Sequence, residues 1–326
     1  MPCALTSRPR GVCMNRKNPF IEGMLSVGLL FALIFVTFYV PVVSILSIWF
    51  LPLPVMYEVS KNGLRRGLAI LLAGIVFSLL LAGLIGGLVT VFFSILGFTM
   101  GLAIRFSKSV FAMLLSGSLV NCAVLILYLA VSVLLFGFNP IDAAKTAISR
   151  SVVSMLNQMG SILDQQTSGL IDFYKSQIDY LGYLAPALIV TVSFFYALIV
   201  ELIHLPLLRR LHIVTPEWLP FRLWKVPKSV IWFYLAVLVV LLFGQLTEGS
   251  SLYIAVINIQ FILDLLLAVQ GFSFMFYFSY VKRIPAAVTI IVSVVAVIFS
   301  YLLQFVKILG IIDLGFNVRE RLKKNN

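Results

Sequence analysis

The reading of this chain turns on one block: Leu51-Pro-Leu-Pro54, then Lys61-Asn-Gly-Leu-Arg-Arg66, then an apolar run from Gly67 to Ile104. Proline has no amide donor and clashes with the preceding turn, so it marks a helix break. Lys and Arg collect in short loops on the inner side of a membrane. A proline break, a basic turn and a glycine-rich apolar run therefore describe a chain turning round at a water boundary. Gly67–Ile104 is too long for one crossing, which takes roughly 20 residues. Gly83, Gly86 and Gly87 are placed to fold it into two.

The same pattern extends in both directions. Of 326 residues, 61% are hydrophobic and 11% charged, with mean hydropathy +1.09, which leaves too little charge to cover a water-soluble surface. Length here counts spans, not soluble domains. Spans are expected at about Glu22–Tyr39, Val42–Tyr57, two within Gly67–Ile104, then Val110–Phe138, Leu184–Leu205, Val230–Leu246, Leu252–Tyr280 and Ala286–Val306. The fold class that follows is all-α: a polytopic transmembrane helix bundle of about eight or nine spans.

The net charge of +12 would elsewhere suggest nucleic acid. No basic face interleaved with aromatics stands outside the apolar runs, so nucleic-acid binding is excluded and the lipid bilayer is the expected partner. With the N-terminus cytoplasmic, the loops holding Lys61–Arg66, Arg105 and Lys108, Arg209–Lys228, and Lys282 with Arg283 all fall inside. The segment Asn139–Tyr180 falls outside. Its Ile141, Ile148, Met155 and Ile162 recur every seven residues, with Ala144, Val152, Met159 and Phe173 beside them, as on one face of an amphipathic helix. Nine spans would put the basic tail, with Arg319, Arg321, Lys323 and Lys324, outside. Either that tail is a tolerated exception, or the count is eight or ten; a short re-entrant or interfacial helix over Lys307–Leu314 would return it inward. Lys323-Lys324-Asn-Asn reads as a membrane flank before it reads as a retrieval signal.

Chemistry is sparse. No G-x-S-x-G, P-loop or H-E-x-x-H pattern occurs, so neither catalysis nor ATP hydrolysis by this chain is expected. Cys3, Cys13 and Cys122 have no metal or disulfide spacing, and no cofactor or metal site is expected. Glu201 and His204 have a spacing found in di-iron bundles. One copy is too few, and an interfacial pair at a helix end is the reading. Glu58 is expected to pair with Arg65 or Arg66. Met14, ahead of Arg16 and Lys17, reads as a candidate translation start, with residues 1–13 as excess.

A polar side chain inside a span is a functional candidate. Asp264 lies near the middle of its run, with Gln260 one turn earlier and Gly271 two turns later on the same face. This face suits a cation, a proton or a donor-rich substrate; bundle-locking hydrogen bonds are the other reading. Asn121 is a further substrate or ion candidate, or an amide that holds helices together. Gly28-Leu-Leu-Phe-Ala32 is a small-xxx-small pattern that admits a second helix closely, which makes Gly28 and Ala32 helix–helix coupling candidates.

A small-xxx-small first span, a proline-rich end to the second and a glycine-rich hairpin together resemble the substrate-binding S components of energy-coupling-factor transporters. Leu51-Pro-Leu-Pro-Val-Met56, Ser60-Lys-Asn-Gly-Leu-Arg65 and Leu309-Gly-Ile-Ile-Asp-Leu-Gly315 more closely resemble the YybS-like family of bacterial multispanning membrane proteins of unknown function, over about Asn15–Lys323. Loop charge makes 1–19 a cytoplasmic segment; the resemblance implies an S-component-like six-span region at 20–206, from whose pattern the outer amphipathic insertion at 139–182 and the added spans depart. A basic cytoplasmic loop follows at 207–229, extra helices at 230–309 and a basic tail at 310–326. It implies a bacterial cell-membrane protein that binds or takes up a small molecule and relies on coupling subunits and ATPases as partners. The alternative is a structural or regulatory scaffold that binds a partner protein through the outer amphipathic segment. S components carry alanine at both ends of the first-span motif; Gly28 departs from that.

Overall fold

The computed structural model describes residues 19–160 and 167–324. The readings made of Cys3, Cys13, Met14, Arg16, Lys17 and Ile162 lie outside these residues. The helices are α1 (Pro19–Tyr39), α2 (Pro41–Phe50), α3 (Pro52–Asn62), α4 (Leu64–Arg105), α5 (Val110–Phe136), α6 (Pro140–Gly160) and α7 (Thr167–Tyr183). They continue as α8 (Ala185–Arg210), α9 (Ser229–Phe243), α10 (Ser251–Val281), α11 (Ala286–Ile298), α12 (Ser300–Phe316) and α13 (Val318–Lys324), with a 3-10 turn at Phe221–Leu223. Among the described residues there is no strand, and the chain is a polytopic helical membrane protein. Five helices are long and apolar enough to cross a membrane by themselves, or six with α11–α12 counted as one; α1 and α9 carry shorter apolar stretches.

The chain divides into two compact units, Met1–Asn121 with Tyr196–Pro216, and Cys122–Phe195 with Glu217–Asn326. In the first unit α1 and α2–α3 form a hairpin that turns at Val40. Thr37 Oγ1 meets Ser47 Oγ at 2.8 Å near the turn, and Ser26 Oγ donates to Glu58 Oε1 at 2.9 Å near the open end. The prolines of the deciding block do not end the second span. Leu51 keeps helical dihedrals (φ −53°, ψ −37°), and the apolar helix runs Pro41–Asn62. Proline is tolerated at a first helical position, where its missing donor is not needed. The stop is Gly63, at φ 92°, a conformation that glycine adopts without strain.

α4 folds back on itself, as its glycines suggest. Ala82 (φ −128°, ψ 15°) and Gly83 (φ 63°, ψ −155°) leave the helical region. A Cβ added at Gly67 would overlap Val59, and one at Gly101 would lie 2.8 Å from the same side chain. An unbroken helix would hold those two glycines roughly 50 Å apart at 1.5 Å per residue. The two arms therefore clasp α3 between them, and Gly97 rests on the Pro52 carbonyl. Leu30, Ile34, Leu51, Val55, Val59, Ile70 and Leu71 form the core of this unit.

In the second unit α10 is the axis. Asn258 clamps the α7–α8 corner: its Oδ1 accepts from Ala187 N at 2.8 Å and its Nδ2 donates to Tyr183 O at 2.7 Å. At its other end α10 packs on α12. Gly271 lies on the Val306 carbonyl and Gly310 on the Leu267 carbonyl, so a Cβ at either would overlap backbone. The expected ninth span, about Ala286–Val306, is not a straight crossing, because α11 and α12 are bent by 118° at Phe299. Thr289 Oγ1 donates to Ser279 Oγ at 2.7 Å, so α11 descends beside the end of α10. α12 then returns alongside α10, with Lys307 at Asp264 and Arg319 at Ser273. The pair starts and finishes at one end of α10, as a bent pair over 286–316 and not as a crossing followed by a separate short helix at Lys307–Leu314.

Gly310→Val is expected to cost about 1–3 kcal/mol, since backbone must move to admit the side chain. Gly23→Ala, with nothing within 4 Å of the new Cβ, should be neutral or slightly stabilising. Thermal unfolding of the detergent-solubilised protein measures both.

Candidate functional site

Asp264 of α10 has a partner that periodicity does not reveal. Lys307 Nζ of α12 lies 3.1 Å from Asp264 Oδ1, and Tyr234 of α9 sits beside the same carboxylate. The two parallel helices bring together a lone acid and a lone base, each costly in lipid without the other. Gln260 is half-buried, and no hydrogen bond joins it to the pair among the described residues. The bundle-locking reading of Asp264 fits this geometry better than an open ligand site. The available signal was the single Lys307 in an apolar stretch, opposite in sign to the single Asp264.

A second network lies near the end of α10. Asn317 ends α12 in the left-handed region (φ 49°), which asparagine tolerates, and so folds Arg319 back over Asp313. Arg319 Nε donates to Asp313 Oδ2 at 2.7 Å, with side chains 5% and 2% exposed. Its Nη1 donates to Arg222 O (2.8 Å) and Trp224 O (3.1 Å), and its Nη2 to Ser273 Oγ (3.1 Å). Gln270 donates to the same Asp313 oxygen and accepts from Val226 N at 2.9 Å. The Ser273 hydroxyl lies 2.8 Å from both Phe221 O and Trp224 O. Arg319, read from sequence as part of a basic membrane flank, is thus a buried staple that ties the tryptophan loop to α10, α12 and α13. The six-residue step from Asp313 to Arg319 matches no helical period, so sequence periodicity could not reveal the pair.

The polar groups of the first unit are arranged differently. Glu58 accepts from Ser26 and from Asn62 Nδ2 at 2.6 Å, in place of the expected arginine. It lines a groove of about 570 Å³ with Gly23, Met24, Val27, Gly28 and Arg66. Gly28 and Ala32 are exposed, and nothing lies within 4 Å of a Cβ built at Gly28. Their face of α1 is uncovered. Asn121 is completely buried, and neither amide atom has a hydrogen-bond partner. Glu201 and His204 are packed within the unit, both 0% exposed.

The second unit also contains an apolar cavity of about 370 Å³ beneath the α6–α7 pair. Its walls include Leu125 and Leu129 of α5, Ile141 and Ile148 of α6, Ile178 of α7 and Leu188 of α8. The hydrophobic stripe seen in the sequence faces this space through Ile141 and Ile148. Lys145 is the charged group at the wall. Its ammonium lies 2.8 Å from Asp179 Oδ1, and that hydrogen bond holds it above the ordinary lysine range. Asn258, absent from the sequence-derived candidates, holds the α7–α8 corner that shapes one wall.

The family model described as a predicted membrane protein, DUF2232, matches residues 28–314. The chain belongs to the DUF2232 family. It is 31% identical over 317 residues to the uncharacterized protein YybS of Bacillus subtilis (strain 168), covering 95% of this chain and 100% of that relative. No solved structure matches the chain. The DUF2232 match takes in the deciding block, the α6–α7 cavity, Asp264, Lys307 and Asp313, and ends before Arg319.

In this DUF2232 protein the two kinds of ion pair should respond very differently to mutation. Arg319→Met strands a buried carboxylate and is expected to destabilise by about 3–5 kcal/mol. Asp179→Asn, at an exposed pair, should cost no more than about 1 kcal/mol. Thermal and denaturant unfolding in detergent separates the two.

Proposed function

We propose that this protein is a membrane-embedded binding subunit for the uptake of a small, largely apolar molecule. It acts without catalysis and without an ATPase of its own, and is driven by partner subunits. The observation that carries the reading is the cavity of about 370 Å³ under α6–α7. That volume falls within the roughly 300–1,000 Å³ of small-molecule sites, which are mostly apolar with a few placed polar groups. An apolar lining calls for an apolar ligand. Lys145, if released from Asp179, offers one cation to a carboxylate or phosphate at the ligand's end.

The orientation that goes with this reading follows from loop charge. Within the first unit, Arg105 Nη1 donates to Lys61 O at 3.4 Å, so two basic turns share one end. Within the second, the Arg222 guanidinium lies 3.9 Å from the Tyr280 ring, beside Lys282 and Arg283. Taking the basic ends as cytoplasmic places the N-terminus inside and opens the α6–α7 cavity outward. The uncovered Gly28–Ala32 face then serves as the S-component-like surface for a coupling subunit. A second reading, a scaffold docking a protein on α6–α7, is favoured by Met155, Phe173 and Tyr174, exposed by 64%, 56% and 42%.

Mass spectrometry of the full chain purified in mild detergent tests both. The uptake reading expects a bound small molecule whose occupancy falls about tenfold, or about 1.4 kcal/mol, in Ile148→Trp, which fills the cavity. It expects Gly28→Leu to keep the ligand and lose coupling subunits. A protein partner lost in Phe173→Ala, with no ligand at any stage, would establish the scaffold instead.

A further inference from the structure

The ionisable groups inside the second unit are paired, acid to base. In the first unit Glu201 and His204 are not. Both residues are 0% exposed, on the face of α8 that also buries Ala197, Val200, Leu205 and Leu208. Neither carboxylate oxygen of Glu201 has a hydrogen-bond partner, and neither does Nε2 of His204. His204 Nδ1 lies 2.6 Å from Val200 O. A carbonyl can only accept, so Nδ1 carries the proton and neutral Nε2 presents a bare lone pair. Pro206 adds to this. Having no N–H, it leaves the Leu202 carbonyl, on the same turn, without its helical donor. One turn of α8 therefore holds the buried Glu201 carboxylate and His204 Nε2 with no donor to meet them.

Such a turn calls for something positively charged or proton-bearing. A bare carboxylate in apolar surroundings is so costly that it takes up a proton or a cation. The surroundings are aromatic: Phe50 lies 6.1 Å from the His204 ring, and Trp49, Phe92 and Phe93 surround the unpartnered Tyr196 hydroxyl one turn further along. No acid or base among the described residues reaches the Glu201 carboxylate or His204 Nε2. No group of three or more His, Cys, Asp or Glu side chains converges among the described residues, so the ligand count of a structural metal site is missing. Hard cations take oxygen ligands, and imidazole is not one. Imidazole and carboxylate side by side are, however, good proton acceptors.

We propose that Glu201 and His204 form a proton-binding site within the membrane-spanning part of the first unit, one proton being shared between the carboxylate and Nε2. The two residues are three apart, so their side chains rise from neighbouring positions on one helix face. In this structure the two groups are not hydrogen-bonded to each other, so sharing the proton requires a side-chain rotamer that brings a Glu201 Oε to Nε2; the O–H bond then breaks as the N–H bond forms, and the positive charge appears on the imidazole while the carboxylate becomes negative. Along α8, an apolar helix long enough to cross a membrane, Glu201 lies about 12 Å and His204 about 8 Å before Arg209. The site stands whether or not the α6–α7 cavity takes a ligand.

The test uses the full chain in lipid nanodiscs and pH-difference infrared spectroscopy. A protonated-carboxyl band is expected at neutral pH, absent in Glu201→Gln, and moved in titration midpoint by about one pH unit or more in His204→Asn. A band unchanged in Glu201→Gln, or a midpoint indifferent to His204→Asn, would overturn the proposal. So would a shift that appears on replacing potassium with sodium, since that makes the occupant an alkali cation. The chain has two histidines, and His212→Gln leaves one imidazole. Nitrogen NMR of that variant keeps the proposal testable should Glu201→Gln fail to fold. The His204 resonances are expected to change with pH, and constant resonances from about pH 4 to 9 would refute a shared proton.

Discussion

Within a bilayer a helix gains little by leaving lipid for another helix, so close approach of backbones has to supply the attraction, and in this chain glycine permits it. Gly67 and Gly101 press the two arms of α4 onto Val59, and Gly97 sits on the Pro52 carbonyl. Gly271 and Gly310 do the same between α10 and α12. These contacts place the polar groups. Asp264 reaches Lys307, and Gln270 reaches Asp313, because the glycine crossing sets α12 parallel to α10 at contact distance.

Charge is handled in two ways. In the second unit, charges within the bundle are neutralised locally, and the Asp313–Arg319 pair is further satisfied by backbone carbonyls and Ser273. A buried pair treated so fully is well explained by structure alone: it locks the tryptophan loop and the tail onto one end of α10. In the first unit, Asn121, Glu201 and the outer nitrogen of His204 are buried with no partner. Buried polar groups are nearly always hydrogen-bonded, so these are where something beyond the chain itself is called for.

Much of the architecture was legible because it rests on local rules. Apolar run lengths located the spans, Gly83 and its neighbours marked the hairpin in α4, and the seven-residue stripe marked α6 as amphipathic. Three readings were less secure. The prolines at 52 and 54 look like a stop, yet Leu51 stays helical and Gly63 ends the span. The last apolar run is long enough to cross, yet it bends at Phe299. Arg319 looks like a flank, yet the left-handed Asn317 turns it inward. Each depends on a dihedral choice that composition does not encode.

Taken alone, the sequence determined class and punctuation: an all-helical polytopic membrane protein with basic turns and a foldable glycine-rich run. Hydropathy and loop charge are properties of the residues themselves. It could not determine which polar groups meet. Asp264 and Lys307 are far apart in the chain, as are Gln270 and Asp313, and Asn258 and Ala187. Nor could it show that Glu201 and His204 are fully buried with no partner. Pairing and isolation of a charge are facts about neighbours, and only the packing of the helices supplies the neighbours.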